Sequence, residues 1–109
     1  MASALLNPKK SLNPSTPDFP LFKLGQIVAT PAAIDMLRAA ALNPLLFLGR
    51  HAFGDWGQID DDDREANRAA LKNGSRLISS YTINRNNDRL WIITEADRSV
   101  TTLLLPQEY

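Results

Sequence analysis

A chain of 109 residues, 44% hydrophobic and 22% charged, has the size and composition of one domain with a single modest core. Its 12 basic residues balance 12 acidic ones, which argues against a general DNA-coating role that would need a cationic excess. Cysteine is absent, excluding disulfides, thiolate metal sites and a cysteine nucleophile together.

No stretch approaches the ~20 apolar residues that span a bilayer. The apolar run at 2–6 precedes Lys9 and Lys10, the reverse of a secretory leader. These features predict a soluble, cytoplasmic protein without membrane contact. Prolines at 8, 14, 17 and 20 forbid a regular helix over residues 1–20. That stretch reads as a flexible tail ahead of one domain spanning 21–109; the alternative is a bound arm whose end Leu21 and Phe22 would anchor.

Residues 24–30 (LGQIVAT) predict a short strand centred on β-branched Ile27 and Val28. Thr30-Pro31 is a cap followed by proline at the first helical position, opening a helix over 31–42. Asn43-Pro44 repeats the signal and opens a second helix through about Arg50. Leu45, Leu46, Phe47 and Leu48 make that helix apolar on more than one side, which predicts burial. In the turn-rich stretch 51–59 (HAFGDWGQI), Trp56 sits between Gly54 and Gly57 and predicts a loop folded onto the core.

Asp60 opens a third helix, Asp61, Asp62 and Asp63 favour its dipole, and Asn73-Gly74 ends it. Ala66, Ala69 and Ala70 form a small-residue stripe suited to close approach to a sheet. The remainder reads as a three-stranded meander over 76–83, 89–94 and 100–105. Together these elements predict an α+β two-layer domain, an antiparallel sheet of about four strands against three helices. The last two strands are apolar on both faces, so the face away from the helices needs a cover. The N-terminal arm and a second copy of the chain are the two candidates, and a homodimer through that face is the expectation.

The turn between those strands holds the densest reactive cluster. Glu95 and Asp97 could hold a hard cation or act as acid and base, with Arg98 gripping an anion; the plain alternative is a charged surface turn. His51, the only histidine, lies near Asp55 and could form a general-base pair; otherwise it serves as a cation at the end of the second helix. Arg85 and Arg89 flank an Asn-rich hairpin loop that could touch phosphate, although the chain carries no cationic excess. The acidic run 60–63 lacks the spacing of a calcium loop, and no glycine-rich phosphate loop is present, so neither cofactor nor metal is expected.

The segments LGQIVATPAA (24–33), LGRHAFGDWGQI (48–59) and LWIITEADRSVTTLLLP (90–106) resemble a small family of plasmid- and mobile-element-associated proteins. Its members are often called plasmid-related proteins, and some carry a type I restriction-modification label. That label finds no counterpart here: the chain is too short for a methyltransferase domain and has no N-P-P-[YF] motif. The resemblance implies an accessory protein of a mobile element. It also groups His51, Asp55, Trp56, Glu95, Asp97 and Arg98 as one candidate surface. The leading expectation is a non-enzymatic protein that binds a protein partner and modulates a host-defence or plasmid-maintenance complex. A small hydrolase or nuclease using His51 with Asp55, Glu95 or Asp97 is the second reading. Nucleic-acid binding through Arg85, Arg89 and Arg98 is the third.

Overall fold

A computed structural model describes residues 19–109. The tail expected over 1–20 therefore lies outside the described residues, apart from the exposed Phe19 and Pro20. The described chain runs β1 (Gln26–Ala29), α1 (Pro31–Ala39), α2 (Pro44–Ala52), α3 (Asp61–Asn73), β2 (Leu77–Thr82), β3 (Arg89–Thr94) and β4 (Val100–Leu104), then a 3-10 turn at Pro106–Glu108. It is an α+β domain with three helices and a four-stranded sheet ordered β1-β4-β3-β2.

Local chemistry sets the helix starts. Thr30 Oγ1 accepts from Ala33 N–H at 3.1 Å and Asn43 Oδ1 from Leu45 N–H at 2.9 Å, each ahead of a proline that has no donor to satisfy. Asp60 accepts from Asp63 N–H at 2.8 Å, and Gly74 closes α3 in the left-handed conformation. Helix α1 stops at Ala39, short of the expected Leu42, because Ala41 turns left-handed and sends the chain through a 111° bend into α2. No single described helix is long and apolar enough to cross a membrane.

The three-stranded meander forms as expected, but the sheet is mixed rather than wholly antiparallel. Strand β1 lies parallel to β4, with Gln26 opposite Val100 and Ala29 opposite Leu103. Parallel neighbours need a long crossover, and here everything from α1 to β3 intervenes. On the helical face, Leu77, Ser79, Tyr81, Leu90, Ile92, Thr94, Thr101 and Leu103 are all buried. The opposite face is covered in part by the chain's own C-terminus, where the Tyr109 ring meets Trp91 edge-on at 5.5 Å and Arg76 stacks on Tyr109.

Two packing expectations are corrected. Leu45 and Leu46 are 66% and 55% exposed, and only Phe47 and Leu48 of that run enter the core. On α3 the buried positions are Asn67 and Ala70, while Ala66 and Ala69 face outward. Asn67 earns its place by donating to Ile78 C=O at 2.8 Å and accepting from Ile78 N–H at 3.1 Å. Its amide thus stands in for a missing neighbouring strand.

Candidate functional site

His51 is wholly buried on the inner side of α2, one residue before that helix ends. It is a core residue rather than a cation capping the helix, because α2 continues to Ala52 and turns position 51 toward the sheet. Its Nδ1 lies 2.6 Å from Ser79 Oγ and its Nε2 2.9 Å from Thr94 Oγ1. Thr94 Oγ1 is 2.7 Å from Thr101 Oγ1, which lies 2.6 Å from the Leu24 carbonyl.

The carbonyl at the end of this chain fixes every proton in it. Leu24 C=O can only accept, so Thr101 spends its hydroxyl proton there and must accept from Thr94. Thr94 in turn accepts from His51 Nε2–H, and in a neutral ring Nδ1 is then the acceptor for the Ser79 hydroxyl. Burial pushes the His51 pKa down to about 4, so the ring carries no charge at neutral pH and is the Nε2–H tautomer. The Phe22 ring packs edge-on against it at 5.1 Å.

Asp55 does not pair with His51. It accepts from Arg50 Nε at 2.7 Å and Nη2 at 3.3 Å, and this hydrogen-bonded guanidinium holds its carboxyl below the usual range. The backbone carbonyl of Asp55 accepts from Tyr81 O–H at 2.6 Å, and Arg50 stacks over the Tyr81 ring at 4.6 Å. Trp56 is buried against Ala70 and Leu77, so its ring offers no surface to a partner; its indole N–H has no acceptor among the described residues.

In the β3–β4 turn, Asp97 accepts from the Ser99 hydroxyl at 2.6 Å and the Ser99 N–H at 3.0 Å, which lowers its pKa. Glu95 is exposed. Arg98 faces inward in function if not in depth: Nη1 donates to the carbonyls of Ser75, Glu95 and Ala96, and Nη2 to that of Ala70. It thereby gives the Ala70 carbonyl, which also accepts from Gly74 N–H at 2.9 Å, a second donor and clamps the turn to that helix, with Phe22 beneath its guanidinium at 5.7 Å. In the hairpin, Arg89 donates to Gln58 C=O and Ser80 Oγ, and Arg85 alone of the two is exposed.

The loop of His51 and the turn of Glu95 thus meet, through Thr94 and from beneath. His51 reaches the residue preceding Glu95 inside the core, while the Glu95 and Asp97 side chains point into solvent above it. The residues the sequence did not single out are Ser79, Thr94 and Thr101. Their signal was available: each is a hydroxyl on the inward face of the sheet, among Leu77, Tyr81, Leu90, Ile92 and Leu103. Compared with known families, curated proteins and solved structures, the chain matches none.

Proposed function

We propose that the chain is an accessory protein of a plasmid or other mobile element that works by binding a protein partner rather than by catalysis. The single observation that carries this reading is the exposed pair Leu45 and Leu46 at the start of α2. Pro44, just before them, forms part of a mainly apolar groove of about 300 Å³ between the sheet end at Ala29 and Leu103, the α1 residues Ile34, Leu37 and Arg38, and Leu42 in the bend. Ile34 is itself exposed. Large apolar side chains held outward on a capped helix, beside a groove, suit an apolar segment of another protein.

Two further observations support binding over the other readings. A reacting histidine needs a free nitrogen and access, and both nitrogens of His51 are engaged in the core. A phosphate-binding surface needs free cationic donors, and the donors of Arg98 and Arg89 are turned to backbone carbonyls. The partner belongs to a host-defence or plasmid-maintenance complex, a context supplied by the resemblance of the three segments.

Capture from native-host lysate on the immobilised chain tests the reading. A protein partner should be recovered in stoichiometric amount, and the double substitution Leu45→Asp with Leu46→Asp should abolish recovery while leaving the circular dichroism unchanged. Failure of the unmodified chain to retain a partner, or full retention by the double variant, contradicts it.

A further inference from the structure

The two edges of the sheet are finished differently. Along the outer edge of β2, Ser80 N–H donates to Trp56 C=O at 3.1 Å and Ser80 C=O accepts from Gln58 N–H at 2.7 Å. Asn67 takes both backbone groups of Ile78, and the Gln58 side chain accepts from Thr82 N–H at 3.1 Å. Both backbone groups of Ile78 and Ser80 and the N–H of Thr82 are thus satisfied along that edge.

Strand β1 is open. Gln26 N–H donates to Ser99 C=O and Thr30 N–H to Leu103 C=O, so the even-numbered residues turn their backbone toward β4. Ile27 and Ala29 then direct N–H and C=O outward, where they have no partner among the described residues. The strand, QIVA, carries none of the devices that blunt an edge: no charge, no proline and no bulge. Ile27 and Val28 are both exposed, on opposite faces of the sheet.

We propose that β1 pairs with β1 of a second copy, antiparallel about a twofold axis through Val28, joining two sheets into one of eight strands. The pattern is self-complementary. Ile27 of one copy faces Ala29 of the other, and these are the residues with outward backbone groups, so both N–H and C=O of each are used. On the helical face this sets a large side chain against a small one. On the other face Val28 meets Val28 as a β-branched pair at the close spacing of a non-hydrogen-bonded position, roughly 4.5 Å between Cα atoms.

Symmetry and length favour a second copy over a foreign strand. Beyond Ala29 the next outward-facing residue is Pro31, which has no N–H, so a longer strand gains no further bond at that end. The strand is uncharged and the whole chain has a formal net charge of zero, so two copies meet without long-range repulsion. A twofold axis normal to the sheet also sets both helical layers on one side. The two α1–α2 grooves then face the same way, a feature that goes beyond the binding reading and does not depend on it.

The absence of cysteine gives a clean test with the full chain. Val28→Cys places two thiols across the axis at a spacing within the roughly 4.4–6.8 Å between Cα atoms that a disulfide spans. Mild oxidation should convert it nearly completely to a covalent dimer, while Leu46→Cys, at an exposed position away from the axis, should cross-link far more slowly. Sedimentation equilibrium of the unmodified chain should give twice 12.1 kDa, and Val28→Lys should give 12.1 kDa with unchanged circular dichroism. A full chain that stays monomeric at about 100 μM overturns the proposal, whichever strand then occupies the edge. So does a Val28→Lys variant that remains dimeric, or a Val28→Cys variant that cross-links no faster than Leu46→Cys.

Discussion

His51 Nε2 lies 2.9 Å from Thr94 Oγ1, and the bond runs from the ring to the hydroxyl. It joins α2 to the strand that ends beside Glu95. Through Thr101 it continues to the backbone of Leu24, on the approach to β1. The histidine is thus a tie between the helical layer, the sheet and the entering chain.

That tie predicts an acid-sensitive domain. Burial depresses the folded-state pKa of His51 to about 4 from 6.5, so the unfolded chain takes up a proton first as pH falls. Its contribution to stability is fully present above pH 6.5 and is lost on descending toward pH 4, a change of about 3 kcal/mol. Urea midpoints across that window should fall with pH, and His51→Gln should flatten the slope at some cost in stability at neutral pH. Asp55 and Asp97, whose pKa values are lowered by their hydrogen bonds to Arg50 and Ser99, lose their contributions only below about pH 5, so the upper part of the window reports His51.

Arg98 is predicted to act on stability. Removing its guanidinium leaves the carbonyls of Ala70 and Ser75 without their charged donor, so Arg98→Ala should cost about 2–3 kcal/mol in chemical denaturation. Arg98→Lys should recover less than half of that, because an ammonium cannot span four carbonyls with the fork of a guanidinium.

Asn67 should prove equally specific. Asn67→Asp keeps the acceptor for Ile78 N–H but sets a carboxylate against Ile78 C=O, at a cost of about 2 kcal/mol at neutral pH. The substitution also unseals the β2 edge, so the variant should self-associate more readily on light scattering than Arg98→Ala does.

Two backbone substitutions should stabilise. Ala41 is exposed at a φ of 55°, a conformation glycine adopts without penalty, whereas Gly49 lies inside α2 with open space around a Cβ. Ala41→Gly and Gly49→Ala should each raise stability by about 0.5–1 kcal/mol, measured as upward shifts in Tm. Gly57→Ala should do the reverse and strongly, because its φ is 73° and a Cβ there would collide with Ser80 C=O.

Local signals were legible in the sequence where the physics is local. Thr30-Pro31, Asn43-Pro44, Asp60 and Gly74 mark helix ends through bonds to residues two to four positions away, and all four do so in the fold. Strand β2 is likewise legible, because Leu77 and Tyr81, an even number of residues apart, fall on the one face that packs on the helices. Long-range choices were not legible: the direction of β1 depends on which strand it meets, and the apolar run 45–48 does not say which of its residues the sheet will cover. The site divides in the same way. His51 drew notice by its chemistry, yet its partners are hydroxyls 28 to 43 residues away, joined to it only by strand register. Proximity in sequence pairs Asp55 with His51, but the carboxylate is drawn instead to the Arg50 guanidinium, a full positive charge, while His51 is neutral and faces the core.

Because His51 is the only histidine of the chain, its ring resonances can be followed without assignment ambiguity. A pH titration by nuclear magnetic resonance measures directly whether it is a structural tie or a reacting group. The neutral Nε2–H tautomer should persist from about pH 8 to below pH 5.5, with protonation only near pH 4 or together with unfolding. A midpoint between about 6 and 7 in a spectrum that remains native would contradict this, and would return His51 to the list of groups able to exchange protons at an open site.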